Sequence, residues 1–187
     1  MQSLSADLEE LRNRACELGV SAAKIVEVAG IRTGAWTRMK CQYGCPNYGL
    51  NLCCPPYTPS YEQMRTFLDE YAKAILVEYT FPLKKEDCVD FAAADLSMSN
   101  GLLDILLTLE KEAFLQNHYR AFALKAGRCR LCEQCNLKKC ANPTKARPSL
   151  EACGIDVFAL ANDNGFNMQV IKGPITELKV YGLLLVE

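Results

Sequence analysis

The chain has 187 residues, half of them hydrophobic, and a formal net charge of −1. This length and composition are typical of one folded domain with a core, here 1–187, and exclude a disordered chain. The small net charge excludes a polycation or polyanion, so any electrostatic recognition must be local.

Hydrophobic periodicity predicts a single α/β domain with one mixed sheet, packed helices and two long cysteine-bearing loops. The second predicted helix opens on a capping box formed by Ser60 and Gln63. In chain order, the predicted elements are a helix over 4–18, a strand over 23–31, a loop over 41–59, a helix from 60 to about 71, a strand over 72–81, helices over 85–96 and 101–118, a short strand over 121–126, a loop over 127–148, a short helix around 155–162 and a strand over 176–187.

The sequence gives no sign of export or membrane insertion. The amino-terminal stretch MQSLSADLEELRNR lacks the basic start and apolar run of a signal peptide. The most apolar stretch, GLLDILLTL, is too short to span a bilayer. We therefore expect a cytoplasmic protein that does not contact a membrane.

Eleven cysteines in such a chain require an explanation. Disulfides are disfavoured in the cytosol, so clustered thiols there indicate metal binding or redox chemistry. The one histidine, His118, excludes sites built on several histidines, and we expect it to be structural. Cys16 and Cys88 fall in predicted helices and are expected to be partly buried thiols.

The second loop has the spacing of an iron–sulfur site. Cys129, Cys132 and Cys135 follow C-x2-C-x2-C, and Cys140 follows Cys135 after a gap of four residues. This resembles the bacterial ferredoxin run, with a final gap one residue longer, and it favours a [4Fe–4S] cluster over zinc. Because the last cysteine of that run serves a neighbouring cluster in some ferredoxins, the assignment of Cys140 stays open.

The same loop is basic, and only Glu133 opposes the positive charge. Cations near an anionic cluster raise its reduction potential, which is the first interpretation. A docking patch for an acidic redox partner or a phosphorylated small molecule comes second, and RNA comes last because no aromatic residues are interleaved. The basic residues are Lys125, Arg128, Arg130, Lys138, Lys139, Lys145 and Arg147, of which all but Lys125 form the candidate patch.

The first loop offers a second thiol group. Cys53 and Cys54 are adjacent, and consecutive residues of an extended chain point to opposite sides, so one small site is not expected to use both. Prolines follow Cys45 and Cys54 and stiffen the backbone there, which favours Cys41, Cys45 and Cys54 as ligands.

Three thiolates could hold a second cluster with one iron left open for substrate. The fourth ligand could equally be Cys53, Cys153 or a thiolate of the other loop. Alternatively, the thiols of this loop are free and its tyrosines and prolines simply pack, and packing is also the favoured interpretation of Cys153.

The two motifs together resemble an uncharacterised prokaryotic family of predicted metal-binding proteins. The resemblance spans nearly the whole chain and implies metal binding and an anaerobic setting, but no reaction. In the first motif the matching residues are Cys41, Cys45, Pro46, Tyr48, Gly49, Cys54, Pro55 and Pro56. In the second they are Cys129, Cys132, Cys135, Cys140, Pro143, Arg147, Pro148, Ser149 and Gly154. The family pattern does not require cysteine before Cys54, so Cys53 counts as an extra ligand at most.

Three functions remain open from the sequence. The first is an iron–sulfur protein of anaerobic redox metabolism that exchanges electrons with a partner through one [4Fe–4S] cluster, with room for a second. The second is an iron–sulfur enzyme with an open iron held by Cys41, Cys45 and Cys54, acting in sulfur removal, sulfur transfer or dehydration. The third is a structural zinc module that binds protein or RNA. The sequence does not specify an oligomeric state.

Overall fold

The computed structural model describes residues 4–83, 91–172 and 175–187, with only the backbone over 91–99. Two short 3-10 turns, Val28–Gly30 and Glu151–Cys153, accompany five helices and four strands in this part of the chain. The elements are α1 (Leu4–Glu17), β1 (Ala22–Glu27), α2 (Ala35–Gly44), α3 (Tyr61–Leu68), β2 (Lys73–Pro82), α4 (Phe91–Leu115), β3 (Phe122–Leu124), α5 (Val157–Asp163) and β4 (Glu177–Leu185). Among the described helices, none is both long and apolar enough to cross a bilayer.

One sheet of four strands, in the order β1-β2-β4-β3, forms the centre of the fold. Its longest pairing joins β2 and β4 from Ala74↔Leu185 to Pro82↔Glu177. The middle of β2 is buried on both faces, which explains why its sequence is an almost unbroken apolar run.

Each face of the sheet carries its own core. Alternate residues of β2 and β4 point to opposite faces, so the two cores share no side chain. On one face, α1 and α4 pack on Ile75 and Val77. On the other, α3 and α5 pack on Ala74 and Leu76, together with Cys153 from the 3-10 turn that follows the second loop. The turn that follows the second cysteine loop therefore belongs to the α3 and α5 face.

The α/β fold and its single sheet confirm the prediction, but the direction of the strands does not. We expected a mixed sheet, and all three described pairings are antiparallel. Alternating helices and strands favour parallel crossovers. Here the long loops let the chain return from either end of the sheet, and this freedom is not visible in a residue pattern.

The predicted capping box is confirmed. The Gln63 backbone N–H donates to Ser60 Oγ at 3.2 Å, and the Ser60 N–H donates to Gln63 Oε1 at 2.8 Å. The helix ends at Leu68 rather than near Tyr71. The two hydrogen bonds between Ser60 and Gln63 satisfy backbone N–H groups that have no helical partner at the start of α3.

The prediction of two separate helices, over 85–96 and 101–118, was wrong for the part of this stretch that the structure describes. The chain forms one helix, α4, across the predicted gap, while 84–90 lies outside the described residues. The polar residues before Gly101 suggested a break between two helices, and this caused the error. Gly101 lets the helix approach the Tyr79 side chain, because a Cβ there would lie 3.0 Å from its hydroxyl oxygen. Tertiary packing thus overrides a weak helix break.

Helix α2 was not predicted, and Cys41 lies in its last turns rather than in a loop that starts at 41. Its apolar residues do not face the core: Thr37 is buried, whereas Trp36, Met39 and Tyr43 are exposed. A search for an apolar face directed at the core therefore misses this helix.

Gly154 fixes the second loop against α3. Its φ of 86° lies in the left-handed region, and a Cβ there would lie 2.9 Å from the Tyr61 Cα. Its carbonyl accepts the Gly34 N–H at 2.8 Å, which ties the start of α2 to the same point. Only glycine fits such a position without strain.

We expect Gly154→Ala to destabilise the protein more than Gly19→Ala. Both positions have positive φ, but nothing lies within 4 Å of a Cβ at Gly19. Left-handed strain alone costs about 1–2 kcal/mol, and overpacking against the Tyr61 backbone adds at least about 1 kcal/mol. Urea unfolding of the two variants measures the difference, and equal losses would contradict the packing argument.

Candidate metal centre

A buried lysine forms the base of the second cysteine loop. Lys125 is 0% exposed, and its Nζ donates to the carbonyls of Ala126, Gly127 and Arg128 at 2.9, 2.9 and 2.6 Å. Its backbone N–H donates to the Pro148 carbonyl at 3.0 Å, which closes the loop at its other end. One residue therefore holds both ends of the loop and bends the chain toward Cys129.

An ion pair fixes the end of the loop to α4. The Arg147 guanidinium bonds the Glu110 carboxylate through two nitrogens, with Nε at 2.9 Å from Oε2, and lies 5.3 Å from the Phe122 ring centroid. Glu110 also accepts the Ala123 N–H at 2.7 Å. Both side chains of the pair are mostly buried. Arg147, which the sequence places in the candidate docking patch, is thus engaged inside the molecule.

Five thiols from two separate segments line one recess above this base. The four cysteines of the second loop are joined there by Cys53 of the first loop, and Leu131 forms part of the apolar wall. The Asn142 Nδ2 donates to the Cys132 sulfur at 3.2 Å. The thiols around the recess are Cys53, Cys129, Cys132, Cys135 and Cys140.

The chemistry of this donor set fits a thiophilic metal centre. Within the described chain, neither a carboxylate nor an imidazole lines the recess. Thiolates select iron–sulfur clusters and zinc rather than magnesium or calcium. The sulfurs lie around the wall, and in residues 4–83, 91–172 and 175–187 no three cysteine, histidine, aspartate or glutamate side chains converge closely enough to hold a single ion.

Cys53 and Cys129 form a hydrogen-bonded pair between the two loops. The Cys53 thiol donates to Cys129, which lowers the pKa of Cys129 to about 6, helped by the Leu131 backbone and by the positive charge of Lys125. The same bond, together with burial, raises the pKa of Cys53. Among the described cysteines no disulfide is present. One thiolate is thus stabilised at the centre of the recess.

Asn51 joins the backbones of the two loops. Its Nδ2 donates to the Cys129 carbonyl at 3.0 Å, while its Oδ1 accepts the Cys53 N–H at 2.9 Å. Asn51 is itself buried. The amide therefore sets the direction of Cys53 and its distance from Cys129 at the same time.

The remaining thiols of the first loop form a separate group. Burial is the main cause that raises the pKa of Cys54 to about 11, and the neighbouring Cys45 and Cys41 raise it further. Burial and Cys45 also raise the pKa of Cys41, whereas the Arg38 guanidinium lowers it. The structure thus gathers Cys41, Cys45 and Cys54, and turns Cys53 toward the other loop.

Arg38 holds this group in place from within α2. Its Nη1 donates to Thr58 Oγ1 at 2.8 Å, to the Pro59 carbonyl at 2.9 Å and to the Ala152 carbonyl at 3.0 Å. The Thr58 hydroxyl also donates to the Ala152 carbonyl, at 2.6 Å. One guanidinium therefore links α2, the end of the first loop and the turn that follows the second loop.

A family comparison agrees with this concentration of thiols. The model of a family described as predicted metal-binding protein (DUF2284) matches residues 24–186 of the chain. The chain belongs to this family. No curated protein and no solved structure matches the chain.

The family assignment confirms the resemblance seen in the sequence and supports metal binding, without specifying the metal. The match covers β1 to β4, so both cysteine loops and the sheet between them belong to the family domain.

The other cysteines of this family member lie outside the two thiol groups. Cys153 is buried in the core beside α3 and α5, and burial raises its pKa to about 12. Cys153 packs there, as favoured from the sequence, and its alternative role as an extra ligand stays a prediction. Cys16 is exposed, so its predicted partial burial was wrong, and Cys88 lies outside the described residues.

His118 is buried on the far side of the sheet. Its Nε2 lies 3.3 Å from Asp7 Oδ2, and its Nδ1 lies 3.3 Å from Glu187 Oε2. These contacts join α1, the end of α4 and the end of β4. The structural role expected from the sequence agrees with this placement.

The remaining patch residues differ in their accessibility. Lys138, Lys139 and Lys145 are exposed, whereas Arg128 and Arg130 are half-buried. Only the three lysines are fully available to a partner on the surface. Whether any of the six candidates binds a partner stays a prediction.

Sequence reasoning missed the residues that organise the site. Lys125 counted only as one of seven basic residues, and Asn51 and Arg38 were not singled out. The sequence did contain a signal for Asn51. Asparagine side chains often accept the backbone N–H two residues further on, in an Asx turn, and here that N–H belongs to Cys53. Nothing in the sequence distinguishes the buried Lys125 from its exposed neighbours.

We expect the metal-free protein to alkylate Cys129 at lower pH than Cys54. With pKa values of about 6 and about 11, Cys129 is mostly thiolate at pH 7 and Cys54 is protonated. Cys53→Ala should move the Cys129 midpoint toward about 8.5, the value of an unperturbed thiol. Iodoacetamide rates followed by peptide mass spectrometry measure both midpoints.

Cys16→Ala is the control for this experiment, because Cys16 is exposed and takes no part in either thiol group. An unchanged Cys129 midpoint in Cys53→Ala would contradict the hydrogen bond between the loops.

Proposed function

We propose that this protein binds a [4Fe–4S] cluster in its second loop and exchanges electrons with a partner in cytoplasmic, anaerobic redox metabolism. The observation that carries the proposal is the recess in which five thiols from two loops meet above a buried ammonium group. Ferredoxin-like spacing of three of these thiols supports iron–sulfur over zinc.

Cys129, Cys132 and Cys135 would hold three corners of the cluster, and Cys140 or Cys53 would hold the fourth. Both candidates line the recess, and Cys53 lies within hydrogen-bond reach of Cys129. When bound, such a cluster accepts and releases single electrons. The chain contributes the ligands, their orientation and the surrounding charge.

The surrounding residues favour a negatively charged centre. Lys125 and the Leu131 backbone lower the pKa of the Cys129 thiol, and the Asn142 amide donates to Cys132. Positive charge and hydrogen bonds to the sulfurs stabilise the more negative, reduced state and so raise the reduction potential. Among the residues that the structure describes, the side chains lining the recess besides the thiols are amides and apolar groups, without a carboxylate or imidazole for acid–base work, which supports electron transfer over catalysis there.

We expect protein purified without oxygen to contain iron and sulfide in equal amounts, about four of each per occupied site. It should absorb broadly in the visible range, and dithionite should bleach that absorption. Cys132→Ser should lose the iron of the second loop, whereas Cys16→Ser should keep it, since both thiols are exposed but only Cys132 lines the recess.

Elemental analysis and visible spectra of the two variants test this proposal. Zinc in place of iron and sulfide would overturn it and favour the structural zinc module. In that case chelators should unfold the loops, because metal binding and folding are coupled.

A second candidate function rests on the separate group of Cys41, Cys45 and Cys54. The charges of Cys41 and Cys45 raise the pKa of Cys54, and Cys45 raises the pKa of Cys41, because the three thiols lie close together. Three thiolates leave one iron of a second cluster open to a small substrate, as in sulfur removal, sulfur transfer or dehydration. Arg38 supplies a nearby positive charge for an anionic substrate.

Cys54→Ser tests this candidate. If two clusters are present, the variant should lose about half of the iron and sulfide while keeping the signal of the second loop. Thiourea, as a probe of an open iron, should change the electron paramagnetic resonance spectrum of the wild type but not of Cys54→Ser. An iron content equal to that of the wild type would contradict a cluster in the first loop.

A further inference from the structure

Helix α2 lies in the fold with its polar side inward. Thr37 is 4% exposed and donates to the Gly34 carbonyl, while Arg38 and Cys41 also face the protein. Trp36, Met39 and Tyr43, at spacings of three and four residues, face solvent. This is the reverse of the usual amphipathic arrangement.

The inward side is fixed by the candidate metal centre. Arg38 must reach Thr58, Pro59 and Ala152, and Cys41 must join Cys45 and Cys54. The aromatic face, which we define as Trp36, Met39 and Tyr43, is therefore left outside, with exposed fractions of 46%, 52% and 76%. Clustered apolar side chains of this kind mark interaction sites, where tryptophan, tyrosine and methionine are enriched.

The two segments that carry the cysteine loops contain many basic and few acidic residues. No aspartate or glutamate occurs from Val28 to Tyr61, and Glu133 is the one acidic residue of 127–150. Because the whole chain has a net charge of −1, the rest of the chain must be acidic. The basic residues of these two segments are Arg32, Arg38, Lys40, Arg128, Arg130, Lys138, Lys139, Lys145 and Arg147. Arg32 and Arg147 are paired with Asp163 and Glu110, whereas Lys40, Lys138, Lys139 and Lys145 are exposed.

Positive charge lies within the aromatic face itself. The Lys40 Nζ lies 5.5 Å from the Trp36 ring centroid, in the range of a cation–π contact. An acidic partner would meet this ammonium and the tryptophan together. Complementary charge orients a partner and speeds its encounter, while the apolar side chains supply the contact area.

We propose that the aromatic face of α2 is the docking surface for a small acidic protein that carries single electrons. This inference rests on the proposed function and adds where the partner binds. Cys41 lies on the same helix, on the side opposite Tyr43, so a partner on this face approaches the first thiol group across one helix.

A second copy of the chain fits this surface less well. A two-fold interface centred on α2 would place Lys40 against the same residue of the other copy, with no carboxylate on the helix to compensate. The positive charge of Lys40 beside Trp36 therefore favours an acidic partner over self-association.

Fluorescence of Trp36 tests the proposal directly, because it is the one tryptophan of the chain. The probe is a purified acidic bacterial ferredoxin without tryptophan, added to the protein as isolated without oxygen. We expect a saturable change in Trp36 emission. The affinity should fall at least about tenfold when salt rises to several hundred millimolar, because screening weakens contacts between surface charges.

Two variants with matched exposure separate docking from general surface effects. Tyr43 and Tyr119 are each 76% exposed, and only Tyr43 belongs to the aromatic face. Tyr43→Ala should weaken ferredoxin binding at least about tenfold and slow electron exchange measured by stopped flow, with unchanged iron content. Tyr119→Ala should change neither.

Each other outcome would overturn the proposal. Absence of a saturable emission change, or equal effects of the two variants, would show that the aromatic face does not bind this partner class. Tighter binding of a single-stranded RNA oligomer would show that the partner is a nucleic acid. Self-association in sedimentation would show that the partner is a second copy of the chain. Protein that lacks iron would instead refute the proposed function, since Trp36 emission reports docking without a cluster.

Discussion

The candidate metal centre depends on one buried ammonium group. An isolated buried charge is costly, and Lys125 lowers that cost by donating to three successive carbonyls. These bonds determine the path of the backbone between β3 and Cys129 and leave positive charge beneath the thiols. The same group that anchors the loop therefore also favours thiolate at its first cysteine.

The two cysteine loops act as one unit because side-chain contacts join them. Asn51 bonds the Cys129 backbone, the Cys53 thiol bonds the Cys129 sulfur, and Arg38 ties the first loop to the turn after the second. A single peptide bond then connects the two thiol groups, since Cys53 faces one and its neighbour Cys54 faces the other. This arrangement is compatible with one cluster or two, and it makes the first loop part of the environment of the second.

The two faces of the sheet have different roles. One face is covered by α1 and α4 and is closed by His118 between two carboxylates. The other carries the turn that follows the second cysteine loop, and Arg38 of α2, whose polar side is turned inward, bonds this turn. The family match covers the whole arrangement from β1 to β4, so the sheet and both cysteine loops belong to one family domain. The apolar residues of α2 are exposed because Arg38 and Cys41 occupy the side of the helix that faces the protein.

The sequence by itself determined the α/β class, the Ser60 capping box, the apolar strands β2 and β4, and the two groups of thiols, because each is written in local spacing or composition. It also separated Cys53 from Cys54, since adjacent side chains diverge in an extended chain. Only the tertiary structure decided the antiparallel order, the continuous α4, the inverted α2 and the union of Cys53 with the second loop. These features depend on contacts between residues far apart in the chain, such as Cys53 with Cys129 and Lys125 with Pro148, and no local pattern encodes such contacts.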